Sequence, residues 1–153
     1  MLDYWDTVPR FGTPPENETI IIRPSAYGCI TDNQGRIAVI RNPKGIYLPG
    51  GGIDAGESHE EAVVREVIEE CGLVVRIGRW ITHAVEFVYS EPERTHFAKR
   101  SIFVDCIVEE VGANKIEEDH DLLWVDSETA AGVLSPLSHG WAVGEWMNYR
   151  AGQ

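Results

Sequence analysis

Short β-branched apolar runs separated by turn residues fill most of this chain, and one central stretch departs from them with a helical period. Thr19 to Ile30 and Arg36 to Arg41 are predicted strands, and Asp32-Asn33-Gln34-Gly35 between them is a hairpin turn. Pro24 removes a ladder donor, so the first strand is expected at an edge or broken there. After the apolar run Ile46 to Leu48, Pro49 and the triplet Gly50-Gly51-Gly52 are expected to end extended structure. A helix then starts at Ser58, where Ser58 and Glu61 have the spacing of a capping box. Val64, Val67, Ile68 and Cys71 fall at i, i+3, i+4 and i+7 as its apolar stripe, and Gly72 stops it.

Beyond the helix, Val74 to Ser90 and Arg100 to Val111 read as strands around a polar loop, Glu91 to Lys99. Leu122 to Val125 is a short strand, Ser127 opens a short helix, and Trp141 to Tyr149 reads as a closing helix after Pro136. This order is not regular βαβ alternation, so the expected class is α/β with a mixed β-sheet and helices packed on it. Residues 1–18 carry Pro9, Gly12, Pro14 and Pro15 among Tyr4, Trp5 and Phe11. They are expected to form an N-terminal arm without regular structure, lying on the domain or on a partner subunit, or else frayed. Residues 19–153 form a single domain on this reading.

The length of 153 residues suits one hydrophobic core, and 43% hydrophobic with 25% charged residues is ordinary for a globular chain. A formal net charge of -12 speaks against a nucleic-acid polymer as partner, because binding a polyanion needs a basic surface. It leaves room for a small phosphorylated ligand, since bound metal inverts the sign of an acidic site. Cys29, Cys71 and Cys106 have no CxxC spacing, and no apolar run approaches a membrane span. A soluble cytoplasmic protein with no membrane partner is expected.

Candidate chemistry centres on the helix. With Glu66 at zero and about 100° per residue, Glu69 and Glu70 fall at roughly -60° and +40°, and the apolar stripe near +150°. The three carboxylates are therefore expected to point away from the core, with Ala62 one turn earlier leaving room for a ligand. Like charges at these spacings each destabilise a helix by about 0.2 to 0.5 kcal/mol. From Ser58 to Cys71 there are five Glu, one Arg and no Lys, unlike a solvated face with interleaved charges. Oxygen ligands of this kind suit Mg²⁺ or Mn²⁺, and the glycine loop adds a bare carbonyl.

Gly51, Glu57, Arg65-Glu66, apolar Val67, Ile68, Glu69-Glu70, Cys71, Gly72 and apolar Leu73, in their spacing, resemble a complete Nudix box of 23 residues. The resemblance implies a Nudix-like α/β/α sandwich and a Nudix pyrophosphohydrolase that attacks a diphosphate with water. It implies that Glu66, Glu69, Glu70 and the Gly51 carbonyl bind Mg²⁺ or Mn²⁺, with Arg65 pairing Glu57 to hold the carboxylates in place. Glu66 is one candidate general base. The run Glu117-Glu118-Asp119-His120-Asp121 is the other, or else a solvated turn.

The expected substrate is a nucleoside triphosphate or related nucleoside diphosphate-X compound. Tyr89, 16 positions past Leu73, resembles the tyrosine of some dinucleoside polyphosphate hydrolases, or is strand packing. The proline of many ADP-ribose hydrolases is missing near that offset, and no coenzyme A signature precedes the box. Arg94, His96, Lys99 and Arg100 form a basic cluster that meets phosphate or caps a solvated hairpin. A nucleotide-sugar hydrolase and a nucleotide-sensing domain without turnover remain alternatives. The aromatic arm and the habit of the family point to a homodimer.

Overall fold

The computed structural model describes residues 3–113, 115 and 118–153. The strands are β1 (Arg10–Phe11), β2 (Ile20–Thr31), β3 (Ile37–Asn42), β4 (Gly45–Tyr47), β5 (Gly50–Gly52), β6 (Leu73–Ser90), β7 (Thr95–Val111) and β8 (Asp121–Val125). The helices are α1 (His59–Cys71), α2 (Ser127–Val133) and α3 (Leu137–Ala151). The sheet runs β1-β6-β7-β2-β3-β4, with β5 added on β2 and β8 on β3. β1 with β6 and β2 with β7 are parallel, and the other pairs are antiparallel, so the sheet is mixed as expected.

Alternation along the central strands explains the layers. Ala26, Ile30, Ala38, Val104 and Cys106 face α1, packing on Ala62, Val63 and Val67. Tyr27, Cys29, Ile37, Val39 and Phe103 face the other way, onto Ala142, Val143 and Trp146 of α3. Both faces are covered, which is why β2 and β3 read as nearly continuous apolar runs. Between the layers, Trp146 Nε1 donates to buried Asp105 Oδ1 at 2.8 Å.

Several expectations need correction. The glycine triplet does not end extended structure, because Gly50–Gly52 is strand β5, paired with Ser25 to Tyr27 of β2. Only a bare backbone fits there: at Gly50, with φ 145°, a Cβ would lie 2.2 Å from the Ala26 carbonyl oxygen. The predicted hairpin is joined only at Thr31 and Ile37, since β5 and the Pro49 carbonyl occupy that side of β2. Pro24 sits inside an unbroken β2. Its carbonyl accepts from Ile53 N–H, so its missing donor faces the side beyond the end of β5 and spares the long β7 ladder.

The loop after β6 is shorter than expected, because the ladder continues to Ser90 and Thr95. The closing helix begins earlier, at Leu137, where the Glu86 carboxylate accepts from the Leu137 and Ser138 N–H groups at 3.2 and 2.9 Å. The prolines of the arm leave room for a 3-10 turn, Tyr4–Asp6, and for β1. The arm lies on its own domain, with Tyr4 Oη and His83 Nδ1 2.8 Å apart. Cys29, Cys71 and Cys106 are free thiols, and among the described residues no helix is long and apolar enough to cross a membrane.

Replacing Gly50 by Ala should therefore lower the unfolding free energy by about 2 kcal/mol or more, through strain at positive φ and collision with β2. Urea denaturation of the two proteins checks this, and equal midpoints would show that β5 can shift away from β2.

Candidate active site

The acidic helix is started by Ser58, whose side chain accepts from Glu61 N–H while the Glu61 carboxylate accepts from Ser58 N–H. Gly72 ends it in the left-handed region with φ 68°. Both ends are as expected, but the buried face is rotated. Ala62, Val63, Val67 and Glu70 are buried, while Val64, Ile68 and Cys71 are only partly so. Ala62 is fully enclosed in the core rather than leaving room for a ligand. Glu70, expected to point outward with its neighbours, is 7% exposed. The reason is β5, which crosses beside the helix so that Gly50 N–H donates to Glu70 Oε1 at 2.9 Å. Burial of an ionised carboxylate is tolerable when it is hydrogen-bonded in this way.

Arg65 lies at the centre of the group. Its Nε and Nη2 donate to the two Glu57 oxygens at 2.8 and 2.9 Å, a bidentate fork. Nη1 donates to Glu66 Oε1 at 3.0 Å and approaches Glu69 Oε2 at 3.5 Å, and Nη2 also reaches the Gly52 carbonyl at 3.1 Å. Glu57 further accepts from Asp54 N–H at 2.9 Å. The hydrogen bonds from Arg65, and then that from Asp54, hold the Glu57 carboxyl down at about 2. Gly51 fits against Glu66 because it lacks a side chain, since a Cβ there would stand 2.9 Å from Glu66 Oε1.

Glu57, Arg65, Glu66, Glu69, Glu70 and Gly51 are thus brought together around β5 and α1. Glu57, Glu66 and Glu69 share Arg65, and Glu70 accepts from Gly50 N–H. Among the described residues no three His, Cys, Asp or Glu side chains are grouped so as to hold a metal ion by themselves. From the acidic run before β8, His120 places Nε2 3.6 Å from Glu70 Oε2 and bonds Asp119 through Nδ1. Glu117 of that run lies outside the described residues.

Past Gly51, Gly52 and Asp54 a cleft of about 430 Å³ opens along Arg23, Tyr27 and Lys99. The same three residues border a larger cavity of about 670 Å³ between the sheet and the start of α3. Tyr47, Glu86, Tyr89, Ser101 and His139 also line it. Strand alternation builds this wall, because Arg23, Ser25 and Tyr27 stand opposite Lys99, Ser101 and Phe103 in the parallel ladder. Burial, and then the neighbouring Arg23, push the Lys99 ammonium below its ordinary value.

Tyr89 is half-exposed at the rim, with its ring 4.6 Å from that of His96. Arg94 does not line the cavity; it occupies the turn after β6 with φ 49° and borders a separate shallow depression. Of the basic cluster, Arg100 turns to the opposite face, where it meets Asp3 at 3.2 Å. Arg23, Lys44 and His139, which also line the larger cavity, carry no local signal in the sequence. Their only signal lies in pairing: Arg23 becomes a neighbour of Lys99 once the parallel register of β2 and β7 is known.

A family model for the NUDIX domain matches residues 21–142, most of the chain. The chain belongs to the Nudix family. The expectation of a Nudix pyrophosphohydrolase is borne out at the level of that family. An ADP-ribose pyrophosphatase from Methanocaldococcus jannaschii is 41% identical over 70 residues, which cover 42% of this chain and 38% of that protein. The matched part of this Nudix chain therefore spans little more than a third of that relative's length.

Among solved structures, the MutT protein from Methanosarcina mazei Go1 matches with a TM-score of 0.64 at 21% identity, over 88% of this chain and 99% of that one. An ADP-ribose pyrophosphatase from Streptococcus suis matches with a TM-score of 0.60 at 20% identity, over 84% and 91%. At these identities the likeness concerns the fold, and it agrees with the expected α/β/α sandwich.

Glu57 also sets a pH dependence. Its folded value lies below the ordinary 4.5, so the stability it contributes is full above about pH 5 and is lost as pH falls towards 2. The stability difference between the native chain and Glu57→Gln should be constant above that range and shrink below it. Urea titrations at a series of pH values check this, and a difference that persisted at pH 2 would detach the effect from Glu57.

Proposed function

We propose that this Nudix chain is a Mg²⁺- or Mn²⁺-dependent hydrolase of the diphosphate in a nucleoside diphosphate linked to a further group, either phosphate or a sugar. One observation carries this reading: the carboxylates gathered by Arg65 stand against Gly51, and Gly51 and Gly52 line a cleft that also holds Arg23 and Lys99 and shares both with a nucleoside-sized cavity.

The donor set fits the metal. Glu66, Glu69, Glu70 and the Gly51 carbonyl are oxygen donors, the chemistry that Mg²⁺ and Mn²⁺ prefer, and bare Gly51 backs directly onto Glu66. When bound there, the ion would polarise phosphoryl oxygens and make water more acidic. Arg65, with its fork on Glu57, holds Glu66 and Glu69 in place. Glu66 is assigned to take the proton of the attacking water. Arg23 and Lys99 receive the phosphate oxygens, which orients the diphosphate along the cleft.

The names of the relatives in M. jannaschii and S. suis support an ADP-ribose-like compound within this class. The half-exposed ring of Tyr89 at the cavity rim favours a second reading, a dinucleoside polyphosphate whose second base stacks there. Three free thiols fit a reducing, cytoplasmic location.

A panel of ADP-ribose, nucleoside triphosphates, UDP-sugars and dinucleoside polyphosphates, assayed with Mg²⁺ and Mn²⁺ for released phosphate, pyrophosphate and nucleoside monophosphate, tests the reading. Turnover should stop when the metal is chelated. Glu70→Gln should reduce kcat by about a hundredfold or more while the circular dichroism spectrum is kept. Binding of a nucleotide without turnover under either metal would establish a sensor instead.

A further inference from the structure

Among the buried polar side chains of the cavity beside α3, Glu86 and Ser138 bond to each other, while His139 and Ser101 are used neither there nor by the proposed reaction. His139 is 3% exposed and Ser101 is 2% exposed, and both line the cavity. Leu48 N–H donates to His139 Nδ1 at 3.1 Å. That bond fixes the tautomer, because an Nδ1 that accepts leaves the ring proton on Nε2. Burial, with Lys99 adding to it, pushes the imidazole down to about 3, so the ring stays neutral and the donor keeps its sense.

Nε2 lies on the opposite edge of the ring from Leu48 and has no partner among the described residues. Nor is it enclosed: among the described residues the enclosed side-chain nitrogen without a partner is His83 Nε2, which lies elsewhere, against Tyr4 of the arm. Tyr27 holds the ring in place, its centroid 4.3 Å away, and Tyr47 approaches it edge-on at 6.2 Å. The Ser101 hydroxyl makes no hydrogen bond among the described residues and can donate or accept. An aromatic-walled cavity with one fixed neutral donor and one adaptable hydroxyl suits the polar edge of a heterocycle better than another phosphate, which Arg23 and Lys99 already serve.

We propose that His139 is the specificity-determining residue of this site, donating from Nε2 to an acceptor atom of the substrate's nucleobase, with Ser101 on the sheet side of the same cavity. This deepens the reading of the chain as a nucleotide hydrolase and rests on it for the class of ligand. A fixed donor rejects any base edge that presents its own N–H at that point, because two buried donors would then face each other unpaired.

Two substitutions separate this role from a structural one. The amide oxygen of Asn can replace Nδ1 as the acceptor for Leu48 N–H, so His139→Asn keeps the internal contact and loses the donor. Gln is one methylene longer, and its amide NH₂ reaches towards the Nε2 position, so His139→Gln restores a donor. The probes are GDP, ADP, UDP and CDP, with ribose 5-diphosphate as the analogue lacking a base, their dissociation constants measured by calorimetry on the full chain.

His139→Asn should weaken the tightest-binding of the four nucleotides by about tenfold and ribose 5-diphosphate by no more than about twofold, and His139→Gln should recover most of the difference. Equal losses for nucleotide and base-free probe, no loss for either, or no nucleotide binding by the native chain would each overturn the assignment. Hydrolysis assays on the same proteins keep the two proposals apart. Turnover that is indifferent to His139→Asn rejects base recognition and leaves the hydrolase reading standing, whereas base-dependent binding without turnover does the reverse.

Discussion

The site depends on one guanidinium. Helix α1 carries Glu66, Glu69 and Glu70 within two turns, in a chain of net charge -12, and mutual repulsion opposes holding them together. Arg65 answers that repulsion at the point where it is strongest, with contacts to Glu57, Glu66 and Glu69 from one planar group. Lysine would offer a point charge and no fork, so it could not grip both Glu57 oxygens while also reaching the Gly52 carbonyl. The same contact ties α1 to the loop before it. Glu57 stands just ahead of the capping box, and Asp54 N–H and Arg65 clamp its carboxylate from two sides. Stability of the helix start and placement of the carboxylates are therefore one problem with one solution.

β2 carries that arrangement to the far side of the sheet. Its alternate residues face α1 through Ala26 and the cavity through Arg23 and Tyr27. Its free edge, left by the early divergence of β3, is covered by β5, which brings Gly50 to Glu70 and Gly51 to Glu66. A few residues of one strand thus connect the acidic helix to the cationic wall of the cleft.

What was legible in the chain follows the range of the interactions involved. The capping box, the glycine stop of α1 and the alternation of the strands are local signals, and each element appears where its signal stands. The Nudix pattern is also local in sequence, so the residues around Arg65 were named before any fold. The rotation of α1 was not legible. Counting apolar positions put Val64 and Ile68 inward, yet Ala62 and Val63 are buried, because the face of a helix is chosen by what crosses it. Here β5 crosses, and a buried hydrogen bond makes Glu70 an inward residue. The glycine triplet misled for a related reason: punctuation by propensity gives way when only a bare backbone can lie against β2. Arg94 and Arg100 were grouped with Lys99 by nearness in sequence, but strand alternation sends Arg100 to the opposite face and leaves Lys99 with Arg23 from another strand.

The pairing of Arg23 with Lys99 bears on how so acidic a chain could accept a polyanion. At long range the net charge of -12 repels nucleotides, so attraction has to be built locally, where the low-dielectric walls of a cleft strengthen it. Burial and Arg23 both disfavour the charged form of Lys99. A phosphate between the two cations reverses the second influence, turning mutual repulsion into two attractions and drawing the ammonium back towards its ordinary value. Carboxylates on one side of Gly51 and Gly52 and cations on the other then divide the work on the proposed substrate. On the proposals above, the acidic side would gather metal and water, the basic side would align the diphosphate, and the neutral imidazole of His139 in the cavity, carrying no charge, would discriminate by hydrogen bonding alone.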